Sequence, residues 1–479
     1  MTRLGVSDSP YLPTWHRATH ALGVPAGTRL DATQATALLR RCLAQWAQKD
    51  STPSASNRTR NVLPHLICEL AQLAPFLQPG VPRQLAEALS DPVYSRRLAE
   101  VAADLLLSEP VAPEICLAPS PAPRAWSSGP DCFCDAIVFA DHQLITHELY
   151  PLVVDACVAN GLDQTLVGVD VDWLVGDCAS RVVTYDVEQD LFVETPLATP
   201  LALDRVLLLS LGPQEQQLHR QLDQVFGARC RNPWVEAQKL DNKINTISAW
   251  HRLGLAVPEQ HSYPVNASTI KPILRDASEW VLKPVASSLG QGVSLVPAVA
   301  SPEHVAELLR SCWRYGDGVL ESRRDGISWR DADGAQHSLA LRLHVVSDDE
   351  GVEVESGYAT VGIDTHTPAT KLHGGHTMGL PQALEGLSRR GGDQLHVDGA
   401  ALLADLRQTA IAAASVFSGI DLVGVDLVLD LVDQSPVAVL LEANPRPAGL
   451  IHSRRLSDQM PGVSTKLWSS RRAVQESVV

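Results

Sequence analysis

Lysine is scarce in this chain. Of 39 basic residues only seven are lysine (Lys49, Lys239, Lys243, Lys271, Lys283, Lys371 and Lys466), and the other 32 are arginine. A chain that otherwise uses arginine keeps lysine by chance or where a compact, mobile ammonium is needed, as in gripping phosphate. Basic clusters are lacking as well. The formal net charge is -16, which argues against the Lys/Arg patches that bind a nucleic-acid backbone. No apolar run is long enough to span a bilayer, and the start, Met1-Thr2-Arg3-Leu4-Gly5, has no signal-peptide core. A cytoplasmic protein with no membrane or nucleic-acid partner is therefore expected. The nine cysteines are odd in number and scattered, with only Cys132 and Cys134 close together. That fits reduced thiols better than disulfides or a zinc site.

What is present is ordinary in bulk: 45% apolar and 20% charged residues, the balance of a soluble globular protein. At 479 residues the chain is too long for one core and divides into about two to four domains. Residues 1–130 carry helical periodicity over Asp31 to Gln48, Val62 to Leu77 and Pro82 to Leu107, then a proline-rich strap from Glu109 to Pro130. No catalytic constellation is found there, so a helical accessory region is expected. Residues 131–230 alternate strand and helix: strands at Ala136 to Ala140, Thr165 to Val169 and Val206 to Leu211, with a helix at His147 to Asn160. This pattern predicts a small, mostly parallel sheet, without a dinucleotide glycine fingerprint. His142, just past the first strand, reads as a surface histidine at the carboxyl edge of that sheet.

The chemistry-bearing residues lie beyond this point. Gln214 to Val225 and Trp234 to Leu253 read as helices, the second ending at Gly254. Lys243 falls inside it. Trp280 to Pro284 is a strand ending in Lys283, followed by the small-residue loop Ser287-Ser288-Leu289-Gly290-Gln291-Gly292. Such a loop lets backbone amides approach phosphate oxygens and can close over a site, although a lone Gly-x-Gly is more often a hairpin turn. Gly318 to Glu321 and Ser338 to Val346, with Arg342, are further strands, as is Val352 to Ile363. The loop Lys371-Leu372-His373-Gly374-Gly375-His376 reads as a substrate loop rather than a zinc pair, since no third ligand is near in sequence. A helix over roughly 397–417 follows.

Two apolar runs close the pattern: Gly424 to Asp430, and Val437 to Asn444 before Pro445-Arg446-Pro447. They read as paired strands carrying Asp426, Glu442 and Asn444. Glu442 and Asn444 are two apart and share a strand face. Two acids and an amide are hard oxygen ligands, suited to a Mg²⁺ that keeps some waters and holds nucleotide phosphates. Each acid taken alone could equally be a solvent-facing strand end.

In this order, from the lysine-bearing helix to the Glu-x-Asn-Pro-Arg-Pro phrase, residues 231–456 resemble the ATP-grasp superfamily, which includes D-alanine-D-alanine ligase, glutathione synthetase and biotin carboxylase. The resemblance implies an α/β (α+β) chain: an ATP-grasp fold with a small lid subdomain at 231–318 and a C-terminal subdomain at 319–479. A small parallel-sheet domain and a helical N-terminal region would precede it. It implies ATP and Mg²⁺ as cofactors, with Mn²⁺ as a substitute. Lys243, Lys283, Ser288, Gly290, Gly292 and Glu321 would contact ATP, and Asp426, Glu442 and Asn444 would carry the metal. Arg446, Arg342 and Lys283 would serve catalysis, while His373, Gly374, Gly375 and Ser453 would meet substrate. The family's ribose-binding acid has only Asp325 as a nearby counterpart, and the Arg- and Asp-rich stretch 323–337 reads as an insertion after the hinge.

The activity implied is an ATP-dependent carboxylate–amine ligase forming an amide or peptide bond between small amino-acid-like substrates through an acyl phosphate, releasing ADP and phosphate. A dimer is the common case for soluble enzymes. The alternatives are a kinase of the same fold, a nucleotide-binding protein without turnover, and a ligase acting on a peptide or protein side chain.

Overall fold

The computed structural model describes residues 117–119, 134–139, 166–186, 191–209, 215–261, 279–287, 290, 292–297, 300–348, 351–370, 373–450, 453 and 456. The helices expected before residue 110, most of the proline-rich strap, His142, the helix at 147–160, Ser288, Lys371 and Leu372 lie outside the described residues. Residues 117–479 form one compact unit by themselves. Among the described residues no helix is long and apolar enough to cross a membrane.

The chain is mixed α/β. Its first sheet comprises β1 (Leu117–Pro119), β2 (Asp135–Phe139), β3 (Leu166–Asp170), β4 (Leu174–Val175), β5 (Cys178–Asp186), β6 (Leu191–Ala202) and β7 (Val206–Leu209). The path is β1-β6-β5-β3-β2-β7, with β4 paired to β5. β2 runs parallel to both β3 and β7, and all fourteen residues of these three strands are buried. Continuous apolar runs of this kind are what a doubly covered parallel strand requires. The long antiparallel pair β5/β6 was not evident from sequence, because Pro196 and Pro200 argue against an interior strand. A register shift between Ala179 and Arg181 accommodates the pair.

Helix α1 (Glu215–Phe226) leads to two helices, α2 (Trp234–Asp241) and α3 (Lys243–Arg252), where one was expected. The break falls at Asn242, whose side chain accepts from the Ile244 and Asn245 amides at 3.0 and 3.1 Å. An asparagine that caps a new helix competes successfully with continuation of the old one. Lys243 thereby becomes the first residue of α3, and Gly254 (φ 73°) ends that helix.

A second sheet, ordered β10-β9-β11-β8, holds β8 (Gln260–His261), β9 (Trp280–Pro284), β10 (Ser294–Val296) and β11 (Gly318–Ser322). Helix α4 (Pro302–Trp313), capped by Ser301, packs Val305, Leu309 and Cys312 onto Trp280, Leu282, Val296 and Leu320. The stretch read as an insertion forms β12 (Ile327–Arg330) and β13 (Gln336–His337). The main sheet contains β14 (Leu339–Asp348), β15 (Gly351–Val361), β16 (His376–Met378), β18 (Leu422–Val432) and β19 (Ser435–Asn444), and β17 (Leu387–Arg389) completes a small sheet with β12 and β13. The main-sheet order is β16-β15-β14-β18-β19, antiparallel throughout.

One face of the main sheet makes the core. Leu341, Leu343 and Val345 pack with Val423, Val425 and Leu427 against α3 and against α5 (Leu380–Glu385) and α6 (Gly399–Ala414). Trp250 on α3 is fully buried, and its indole donates to the Ala413 carbonyl at 2.9 Å. Period-two alternation turns Arg342, His344 and Asp426 to the opposite face. In β19 the core residues are Ala438 and Leu440 and then Ala443, because the register shifts by one residue opposite Asp426/Leu427.

Candidate functional site

The site is assembled where β14, β18 and β19 lie side by side. Asp426 stands opposite Arg342 on one flank and Glu442 on the other, and Asn444 pairs with Gly424. Arg342 grips Asp426 with a two-pronged contact, Nε to Oδ1 and Nη2 to Oδ2, both 2.6 Å, while Nη1 donates to the Ala448 carbonyl at 3.2 Å. Gly424 leaves room for this arm: a Cβ there would stand 3.0 Å from Pro447 Cβ and 3.6 Å from Arg342 Cδ. Asn444 Nδ2 donates to Asp426 Oδ2 at 3.1 Å.

Lysines arrive from the second sheet and from α3. Lys243 Nζ is 3.2 Å from Glu442 Oε2 and donates to the Ser287 carbonyl at 2.9 Å. Lys283 Nζ lies 2.5 Å from Glu321 Oε2, and Glu321 Oε1 accepts from Gln260 Nε2 at 2.8 Å. Lys243, Lys283 and Glu321 are all buried. Lys243 thus joins the main sheet to the second one, through Glu442 on one side and the Ser287 carbonyl on the other. Burial pushes the Asp426 carboxyl up, and the nearby Glu442 adds to this against the pull of Arg342. Burial would do the same to Glu442, but Lys243, Lys283, the contact with Asp426 and Arg342 together hold it below the usual carboxylate range. Burial opposes the charge on Arg342, and Asp426, then Tyr358, overcome it and raise its pKa well above the ordinary value.

These residues fit a hard divalent cation. Among the described residues no group of three or more His, Cys, Asp or Glu is arranged around a metal position. The donor set is instead two carboxylates and an amide, and Mg²⁺ in nucleotide sites takes one or two carboxylates with waters and phosphate oxygens. Adjacent ammonium and guanidinium groups supply the complementary positive charge for phosphate.

The loop after Lys283 needs its glycines. Gly290 and Gly292 have φ of 72° and 71°, and a Cβ would come within 2.9 Å of Thr370 Cγ2 and 2.8 Å of Pro284 Cγ, respectively. The loop therefore touches the segment that leads to His373, Gly374 and Gly375. Thr370 Oγ1 bonds His373 Nδ1 at 2.7 Å, and Gly375 N donates to Thr370 O at 2.9 Å. Burial lowers the His373 pKa.

Four expected residues have surroundings other than those anticipated. Arg446 is buried, with its charge compensated by Asp241 of α2 and with His219 Nδ1 of α1 at 2.8 Å. The Ser453 hydroxyl is fully buried and lies 2.9 Å from His344 Nδ1, not on an open substrate surface. The Glu321 carboxylate is taken by Lys283 and Gln260. Asp325 is held by Arg323 at 2.6 and 2.8 Å and approached by Arg390 at 3.4 Å. Each of these polar groups is buried or nearly so, and each has found the partner that burial demands.

Other residues at the site belong to no motif in the sequence. His344 follows Arg342 by two on the same face and bonds Ser356 at 3.1 Å as well as Ser453. Strand alternation from Arg342 could have found it. Gln260, His219 and Asp241 come from distant segments with no local motif.

No protein-family model and no curated protein matches the sequence. Among solved structures, the chain is similar to D-alanine-D-alanine ligase from Coxiella burnetii, with 14% identity, a TM-score of 0.45, and coverage of 72% of this chain and 97% of that one. It is similar to the VanG D-Ala:D-Ser ligase of Enterococcus faecalis, with 13% identity, a TM-score of 0.45, and coverage of 71% and 99%. D-cycloserine synthetase DcsG is a third, with 15% identity, a TM-score of 0.43, and coverage of 72% and 100%.

Proposed function

We propose that the chain is an ATP-grasp carboxylate–amine ligase that activates a small, amino-acid-like carboxylate with ATP and joins it to an amine. The observation that supports this best is the meeting of Lys243 and Arg342 with the Asp426/Glu442/Asn444 oxygen set, beside Lys283, whose charge helps hold the Glu442 carboxyl below the usual carboxylate range.

A carboxylate is a poor acyl donor because oxide would have to leave. Transfer of the γ-phosphoryl group to a carboxylate oxygen gives an acyl phosphate and ADP. The amine then attacks the acyl carbon, phosphate departs with that oxygen, and the amine loses a proton. Asp426, Glu442 and Asn444 would hold a Mg²⁺, which would supply charge neutralisation along the phosphates. Lys243 and Lys283 bind phosphate oxygens by exchanging their present carboxylate partners for the nucleotide. Arg342, fixed by Asp426, points preorganised N–H groups at the oxygen on which negative charge develops. The loop through Gly290 and Gly292, resting on Thr370, excludes water from the labile acyl phosphate.

The test is product analysis. Purified protein with Mg²⁺ and ATP is offered amino acids and small carboxylates, singly and in pairs, while ADP, AMP and phosphate are followed. ADP and phosphate that depend on both a carboxylate and an amine are expected. ADP without phosphate release from a single acceptor would mean a kinase, and AMP would refute the acyl phosphate route.

A further inference from the structure

Asn232 is a buried asparagine in the left-handed region (φ 53°), between α1 and α2. It belongs to a short strap that continues the edge of the first sheet: Cys230 bridges to Val206 in parallel, and Arg231 N donates to the Val206 carbonyl at 2.8 Å. From that edge the strap reaches the main sheet. Arg231 Nη1 lies 2.5 Å from Asp421 Oδ2. The Asn232 amide makes four hydrogen bonds: Nδ2 donates to the carbonyls of Leu422 (2.7 Å) and Pro445 (2.6 Å), and Oδ1 accepts from the amides of Asp421 (2.7 Å) and Leu422 (3.2 Å). That is the full capacity of a carboxamide.

The positions matter more than the number. Leu422 opens β18, four residues before Asp426, and Pro445 directly follows Asn444 at the end of β19. The β18/β19 ladder ends at the Gly424/Asn444 pair. Beyond it, one side chain from another part of the chain holds both strands together. We propose that Asn232 is a positioning residue for the metal–nucleotide site, setting the spacing of Asp426 and Asn444 through Leu422 and Pro445. This rests on the reading of Asp426, Glu442 and Asn444 as metal ligands. Groups that orient ligands without touching the metal typically change its affinity by about 10–100-fold when removed.

The test measures Mn²⁺ binding to the full chain in the presence of ADP, by electron paramagnetic resonance, beside thermal unfolding. Asn232→Gly suits the left-handed backbone and removes the amide. It is expected to weaken Mn²⁺ binding by about tenfold or more. Asn232→Asp keeps the acceptor toward Asp421 and Leu422 but repels the Pro445 carbonyl, and a similar loss is expected. Arg205→Met serves as the control. It breaks the 2.7 Å pair with Asp135 in the same first sheet, lowering the melting temperature without changing Mn²⁺ affinity. Asn232 variants that melt early yet bind Mn²⁺ within about twofold of the parent would overturn the proposal, as would variants that do not fold, since either makes Asn232 a joint and nothing more. A parent chain that binds no Mn²⁺ with ADP would overturn the metal-site reading itself, a separate result.

Discussion

Replacing Arg342 by methionine tests whether the site is held together by charge. The guanidinium and the Asp426 carboxylate are only 21% and 17% exposed and share two 2.6 Å bonds. Breaking a buried pair by removing one partner costs about 3–5 kcal/mol, and the residual exposure of this pair puts the expectation at the lower end, about 3 kcal/mol. Arg342→Lys restores a positive charge but not the planar fork, so it should recover part of the stability and little of the ATP turnover. Denaturant unfolding of Arg342→Met, Asp426→Asn and the double variant forms a thermodynamic cycle. A coupling of about 1.5 kcal/mol or more is expected, within the usual range for contacting residues. Coupling below about 0.5 kcal/mol, with turnover retained in Arg342→Met, would refute the assignment of this pair as the electrostatic centre of the site.

Lys283→Met leaves the buried Glu321 carboxylate without its ammonium, and Glu442→Gln leaves the buried Lys243 ammonium without its carboxylate, so both should lower the melting temperature as well as abolish turnover. Parent-like melting of either variant in a calorimeter would contradict this. Gly290→Val meets both a forbidden φ and Thr370, and should displace the loop, seen as faster proteolysis there and as phosphate release no longer matched by amide product. Tight coupling retained in that variant would remove the loop from water exclusion. Acid should destabilise the fold through His219, whose pKa burial, and then the Arg446 charge, lower from 6.5 to about 4. A histidine kept neutral in the folded state lends stability fully present above pH 6.5 and lost as the pH falls towards 4, at about 1.4 kcal/mol per pH unit. Urea midpoints measured between pH 7 and pH 4 should show a shallower decline in His219→Gln, and an identical decline would refute this role.

Much of the fold was readable because its main strands obey simple rules. β2, β3 and β7 are unbroken apolar runs, and β18 and β19 are apolar runs bounded by turn-forming residues. Glu442 and Asn444 are legible as one group because strand periodicity sets them on one face, and Asp426 because it lies on the adjoining apolar run. What escaped the sequence depends on contacts between segments far apart. The α2/α3 break turns on whether Asn242 caps or continues, a local competition decided by packing. The β5/β6 pair hides behind two prolines. The partners of Arg446 are His219 and Asp241, more than 200 positions away, and no spacing rule reaches that far. Ser453 could be aligned to a family position, but its bond to His344 could be seen only once the two were in space.

The single-residue shift in β19 has a consequence for how this chain can vary. Ala438 and Leu440 face the core, and simple alternation would send Glu442 and Asn444 the same way, into hydrocarbon. The extra residue, Leu441, acts as a phase switch: upstream of it, the even positions serve cohesion, and downstream they serve chemistry. Were Leu441 to take a regular place in the ladder, the roles would be exchanged, burying an acid and an amide and turning Ala443 outward; deleting it instead sets Glu442 directly after Leu440 and so leaves it on the site face. The bulge in β19, and not only its composition, decides which residues face the site.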